Sequence, residues 1–184
     1  MPENRPSESA PETGLYTPEQ RRLRDESPWT IVQGGLAPLQ FLIFLVSLIL
    51  VLRYLATGNG LYAANASVIM KTIALLTIMV TGSIWEKEVF GVWLFARPFF
   101  WEDVFSFLVI ALHLWYVVAL FQGRTEPRTL MFIALAAYAA YVINAVQFIL
   151  KLRAARLQEQ AMKARAAAPA PAAAPAGRPQ EALA

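Results

Sequence analysis

Four apolar runs dominate the pattern of the chain: Ile31 to Tyr54, Ala66 to Trp85, Val104 to Phe121 and Thr129 to Leu150. Each meets the roughly 20 apolar residues that a helix needs to cross a hydrocarbon core about 30 Å thick. The connections around "ATGNG", "EKEVFGVWLFARP" and "GRTEP" are short, and their glycines and prolines end helices. Sequential runs should therefore be spatial neighbours in an all-α, polytopic membrane four-helix bundle of up-and-down topology. Ahead of the first run, Thr17-Pro18 with Gln20 and then Ser27-Pro28 each pair an N-cap hydroxyl with a proline at the first helical position. They predict a short surface helix feeding the first span. Beyond Leu150 the last helix should continue through "KLRAARLQEQAMKAR", supported by Glu159 and Lys163 at i,i+4.

The expected organisation is a disordered N-terminal tail over 1–15, an interfacial segment over 16–30, and a transmembrane domain over 31–157. A helix extension and a disordered Ala/Pro tail fill 158–184. With 57% hydrophobic residues in 184, the apolar surface suits lipid better than a soluble core. The 16 Lys+Arg against 13 Asp+Glu give +3, and the basic residues flank the apolar runs, which fits a bilayer with anionic headgroups and not nucleic acid. Arg21, Arg22, Arg24, Lys87, Arg97, Lys151, Arg153 and Arg156 fall at one end of the spans, against Arg53, Arg124 and Arg128 at the other. Both termini should be cytoplasmic, in the inner membrane. The first 26 residues hold no apolar core, so no cleaved signal peptide is expected. Without cysteine there is no disulfide framework and no thiolate chemistry.

Polar residues inside spans mark the bundle interior or a functional cavity. Gln33, Gln40, Ser47 and Tyr54 recur every seven residues and drift only about 20° per step, so they form one inward stripe. Interhelical hydrogen bonding alone would explain Gln40 and Ser47. Glu102, Ser106 and His113 share a second stripe, with His113 roughly 16 Å below Glu102. Asp103 points elsewhere, and both acids also complement the helix dipole as N-terminal residues. Glu86 and Glu88 reach the same level but face different ways, so one of them at most should join a site. Tyr141, Asn144 and Gln147 are successive i,i+3 neighbours on the last span. Trp85, Trp93 and Trp101, with Phe95, Phe99 and Phe100, read as an interfacial aromatic belt or as cavity walls. Lys71 lies near the outer end of its span and is expected to snorkel.

No HExxH, CxxC, Walker loop or GxSxG elbow occurs, and a single histidine does not build a di-iron or bis-histidine haem site. His113 could be one axial ligand of a tetrapyrrole metal or a buried imidazole bonded to a neighbour. What remains is a cavity of carboxylates, amides and tyrosines open toward the inner leaflet. Carboxylates crowded against low-dielectric walls resist simultaneous ionisation, so one of them can stay protonated as a general acid. No cofactor or resident metal is expected.

The words "YTPEQRRLRDESPWTIVQGGLAPLQF", "IMVTGSIWEKEVFG", "FFWEDVFSFLVIALH" and "YVINAVQFILKLRAARL" resemble the 3-vinyl (older name 2-vinyl) bacteriochlorophyllide hydratase family of bacteriochlorophyll biosynthesis. The resemblance runs from about Tyr16 to Leu157. It implies a hydro-lyase that adds water to the C3-vinyl group of a magnesium tetrapyrrole, giving a 1-hydroxyethyl group. The resemblance assigns no catalytic residues; the polar pattern of the spans, set against the need of that reaction for a positioned acid, makes Glu102 the expected proton donor, with Glu86 or Asp103 orienting water or stabilising charge. Tyr141, Asn144 and Gln147 would hold substrate or water, His113 the substrate magnesium, Trp101 the ring, and Arg97 or Lys151 the propionate. Association with other pigment-biosynthesis enzymes of a phototrophic bacterium is a further implied partnership. The competing reading is a non-catalytic pigment-binding or assembly protein; a transporter lacks the paired broken helices of transport repeats.

Overall fold

The computed structural model describes residues 15–167, and within them the chain is all-helical: α1 Pro18–Glu26, α2 Pro28–Thr57, α3 Leu61–Phe90, α4 Phe100–Gln122 and α5 Pro127–Ala167. The expected tails lie outside the described residues, apart from Leu15 and from Ala166 and Ala167, which end α5. α2 to α5 are long and apolar enough to cross a membrane. Each exceeds its apolar run by several residues, because capping and amphipathic ends extend helix beyond the hydrocarbon.

Local chemistry sets the element ends. Thr17 and Gln20 make both bonds of a capping box, 3.2 Å from the Gln20 N–H to Thr17 Oγ1 and 3.0 Å from the Thr17 N–H to Gln20 Oε1. Ser27 Oγ accepts from the Trp29 N–H at 3.3 Å and donates to Glu88 Oε2 on α3 at 2.5 Å, so one hydroxyl caps α2 and ties it to α3. At the far end of α2, Gly58 adopts φ 71°, which an L side chain would resist, and its N–H caps Tyr54.

α2 packs most closely on α3 and α4 on α5, while lighter α2–α5 and α3–α4 contacts close the ring. Gln33 Nε2 donates to Thr81 Oγ1 at 2.7 Å, and Ser47 Oγ lies 2.7 Å from Ser67 Oγ. The two pairs are equally spaced on the antiparallel helices and fix their register. Ser47 also meets Tyr138 Oη on α5, and Tyr116 Oη donates to Asn65 Oδ1 at 2.8 Å. The inward stripe on α2 is as expected, with Gln40 and Ser47 buried and Gln33 and Tyr54 half-buried. Phe44, Val51, Val68, Val109 and Met131 fill the core, and Ala134 and Ala137 let α5 approach closely. Leu42, Val46, Ile49, Val80, Trp115 and Phe121 face outward, as a lipid-facing surface requires. A smaller core of Tyr16, Val89 and Phe99 seats α1 against the end of α3, where Tyr16 stacks on Phe90 at 5.7 Å. Beyond the bundle the Glu159–Lys163 pair forms at 3.0 Å.

Lys71 departs from expectation. It does not snorkel: its side chain is fully buried and its Nζ sits 3.5 Å from the centre of the Tyr141 ring. The inward face of α3 at this level leads to an aromatic surface on α5, and an ammonium is drawn to such a π face.

Because Ser27 serves two partners, Ser27→Ala should cost about 1–2 kcal/mol. Unfolding from mixed micelles by a denaturing detergent measures it, and Thr17→Ala at the single-purpose cap of α1 should cost less.

Candidate active site

The carboxyl cluster is assembled where α3 passes into α4. α3 ends at Gly91, whose φ of 78° lets its N–H reach the Lys87 carbonyl at 3.1 Å. The chain then crosses Gly91–Phe99 without regular structure and re-enters helix at Phe100, so Glu102 and Asp103 fall in the first turn of α4. Adjacent residues on a helix point about 100° apart, which turns Asp103 toward α3 and Glu102 toward α5.

Phe95 holds φ 61°, an uncommon conformation for a bulky side chain. Around it two successive backbone N–H groups point inward. The Phe95 N–H donates to Asp103 Oδ2 at 2.7 Å and the Ala96 N–H to Glu86 Oε2 at 3.1 Å. Both acids are buried, and the N–H groups that hold them belong to adjacent residues of one connection. Glu88 instead stays exposed and holds Ser27. Glu102 pairs with Lys151 Nζ at 2.5 Å, and the same ammonium reaches the Pro98 carbonyl and lies 5.2 Å from the Phe99 ring centre.

One turn below, Asn144 Nδ2 donates to Ser106 Oγ at 2.8 Å, leaving Asn144 Oδ1 without a partner, as is Gln147 Oε1. Tyr141 lies deeper, beneath Lys71. His113 is fully enclosed, with its ring 5.8 Å from that of Tyr138 and its Nδ1 2.8 Å from the Val109 carbonyl. Arg97 and Trp101 are exposed on the outer side. There Phe95 stacks on Phe107 at 5.5 Å and meets Phe100 at 5.6 Å, and Phe100 meets Trp101 at 5.5 Å, forming an exposed aromatic face beside the acids.

The structure thus gathers Glu86, Asp103 and Glu102 at one end, with Asn144 and Gln147 next to them. It places Tyr141 and His113 deeper, and Arg97 and Trp101 outside. Sequence reasoning expected an open chamber; here the Gly91–Phe99 connection covers the acids. Two concavities, of about 320 Å³ beside Leu42, Ile43, Val46, Ser67 and Met70 and about 310 Å³ between Tyr54 and Arg128, lie away from them. Sequence reasoning also missed the two amides, which carry no side-chain signal, and the Lys151 partner of Glu102. Lys151 follows Gln147 at i+4 on the polar face of α5, and that spacing was the available clue.

Residues 16–154 match the family model described as 2-vinyl bacteriochlorophyllide hydratase (BCHF). The chain belongs to the 2-vinyl bacteriochlorophyllide hydratase family. A relative of that name from Cereibacter sphaeroides is 65% identical over 156 residues, covering 84% of this chain and 96% of that protein. Another of the same name, from Rhodobacter capsulatus, is 65% identical over 144 residues, covering 78% of this chain and 84% of its own length. No solved structure matches the chain. All the acids and amides of the cluster fall inside the family match.

Lys151→Met strands Glu102 in a buried position and should cost about 3 kcal/mol. Glu102→Gln with Lys151→Met should recover most of that loss. Detergent-unfolding free energies of the two single variants and the double one check it, and simple additivity would show that the two side chains act separately.

Proposed function

We propose that this chain hydrates the vinyl substituent of 2-vinyl bacteriochlorophyllide, with the Glu86–Asp103 pair as its proton donor. The family match through almost the whole bundle carries the reaction class. The buried carboxyl pair under two amides supports the choice of donor. Two buried carboxyls held by adjacent amides do not both ionise readily, so one proton stays with the pair.

The chemistry needs such a proton. Transfer to the terminal vinyl carbon breaks the C=C π bond and leaves positive charge on the adjacent carbon, where the macrocycle delocalises it. Water adds there to give the 1-hydroxyethyl group, and the proton it loses restores the pair. The negative charge left on the pair faces the cation in a water-poor site, where electrostatic stabilisation is strong. Glu102, already engaged by Lys151, is the better candidate for holding the α4–α5 end in place than for donating. Asn144 Oδ1 and Gln147 Oε1 offer acceptor oxygens for the water, with Tyr141 beneath them.

The substrate ring would stack on the exposed face of Phe95, Phe100, Trp101 and Phe107, with its free carboxylate toward Arg97. His113 does not ligate the substrate magnesium in this reading. Eleven residues of α4, roughly 16 Å, separate it from Glu102. That exceeds the reach from the centre of a tetrapyrrole to a vinyl carbon on its rim. The excess of Lys and Arg at the acid end favours placing that end, and both termini, on the cytoplasmic side of the inner membrane. There the ring arrives from the inner leaflet, and other enzymes of the pigment can hand it over.

The purified protein, given the vinyl substrate in ¹⁸O-labelled water, should yield product labelled at the side-chain hydroxyl by mass spectrometry. Bound pigment in stoichiometric amount without label would select a non-catalytic pigment-binding protein. Glu86→Gln and Asp103→Asn should each lower turnover about 10²- to 10⁴-fold. Glu102→Gln should lower it less, and the reverse order in initial rates would return the donor role to Glu102.

A further inference from the structure

Among the described residues, five buried side-chain polar atoms have no hydrogen-bond partner: Gln40 Nε2, Lys71 Nζ, His113 Nε2, Asn144 Oδ1 and Gln147 Oε1. They come from all four long helices, yet they follow one interior seam. Lys71 lies on the Tyr141 ring, and His113 lies beside Tyr138 one turn away on α5. Phe44 touches both tyrosines, at 5.4 and 5.0 Å, and Gln40 precedes Phe44 by one turn on α2. Asn144 and Gln147 continue the face of Tyr141 toward the acid end at successive i+3 steps.

The chemical mixture along the seam selects its occupant. Gln40 Nε2 and Lys71 Nζ can only donate. Asn144 Oδ1 and Gln147 Oε1 can only accept. The Val109 carbonyl requires a hydrogen on His113 Nδ1, so Nε2 of the neutral ring also accepts. An anion would satisfy the two donors but oppose three lone pairs. A cation would satisfy the acceptors but meet an ammonium. Water both donates and accepts, and a buried water needs two to four such partners. An ammonium inside a bundle needs more than a π face to compensate its lost hydration.

We propose that this seam binds a short file of water molecules, anchored at Gln40, Lys71 and His113 and ending at Asn144 and Gln147, from which the hydration reaction draws its water. From Tyr138 to Gln147 the seam follows nine positions of α5, about 14 Å, a length that about four or five waters span at hydrogen-bond spacing. The supply role rests on the hydratase reading; the binding of water does not. A flat macrocycle lying over the Gly91–Phe99 connection would screen the acids from bulk water, so an interior store answers a need of that reaction.

His113 is the only histidine, so ¹⁵N-histidine labelling of the full chain in lipid bilayers reports a single ring. Solid-state NMR should show magnetisation transfer from water protons to His113 Nε2, reduced at least about threefold in Lys71→Met, which keeps the side-chain length and removes the donors. Gln40→Leu serves the same purpose if Lys71→Met does not assemble in the membrane. No transfer to Nε2 in the wild-type protein would overturn the file, whatever the protein's activity. Transfer without any water adduct formed from the vinyl substrate would keep the file and remove both the supply role and the hydratase reading. In active protein, Lys71→Met should lower kcat about tenfold with KM for the tetrapyrrole unchanged; an unchanged kcat would overturn the supply role.

Discussion

A polar atom surrounded by hydrocarbon has no solvent to turn to, and that constraint organises the bundle. Lipid tails are as apolar as leucine, so hydrophobicity alone gives helices little reason to choose one register over another. The choice is made by cross-helix bonds: Gln33 to Thr81, Ser47 to Ser67 and Tyr138, Tyr116 to Asn65, and Asn144 to Ser106. Each is worth on the order of 1 kcal/mol. Slipping one helix past another would strand several of these groups together, so small individual terms produce a well-defined alignment. The alanines of α5 add close contact where the bonds have fixed the approach.

The acid cluster obeys the same constraint by another route. Glu86 and Asp103 find their donors in the main chain of the connection that joins their helices. Such donors are positioned by backbone conformation, and here that conformation includes the unusual φ of Phe95. Backbone strain of this kind persists where the surroundings over-determine it. Asp103 and Glu102 also sit at the positive end of the α4 dipole, which favours carboxylates at that point before any specific partner is counted.

The parts of this architecture that depend on neighbours in sequence were legible there. The Thr17–Gln20 capping box, the Ser27 cap, the four apolar runs and the Glu159–Lys163 pair each involve residues a turn or less apart, or simple length. The seven-residue polar stripe on α2 could also be read, since the helical period alone assigns it a face. The convergence of Glu86, Asp103 and Glu102 at one end followed from topology and span length. Their pairing did not, because it depends on rotations of α3 and α4 and on amides that no side chain announces. Lys71 was misjudged because α3 begins at Leu61, five residues ahead of its apolar run, which sets the lysine deeper than the run implied, and because the aromatic face of Tyr141 that receives its ammonium belongs to a helix seventy residues away.

The amides of Phe95 and Ala96 belong to consecutive residues, and each holds a different carboxyl. Because the residues are directly linked, both carboxyls depend on the conformation of one short stretch of backbone. The ring that stacks on Phe107 and the N–H that grips Asp103 are both Phe95's, so the outer aromatic face and the lining of the acid cluster are joined through a single Cα.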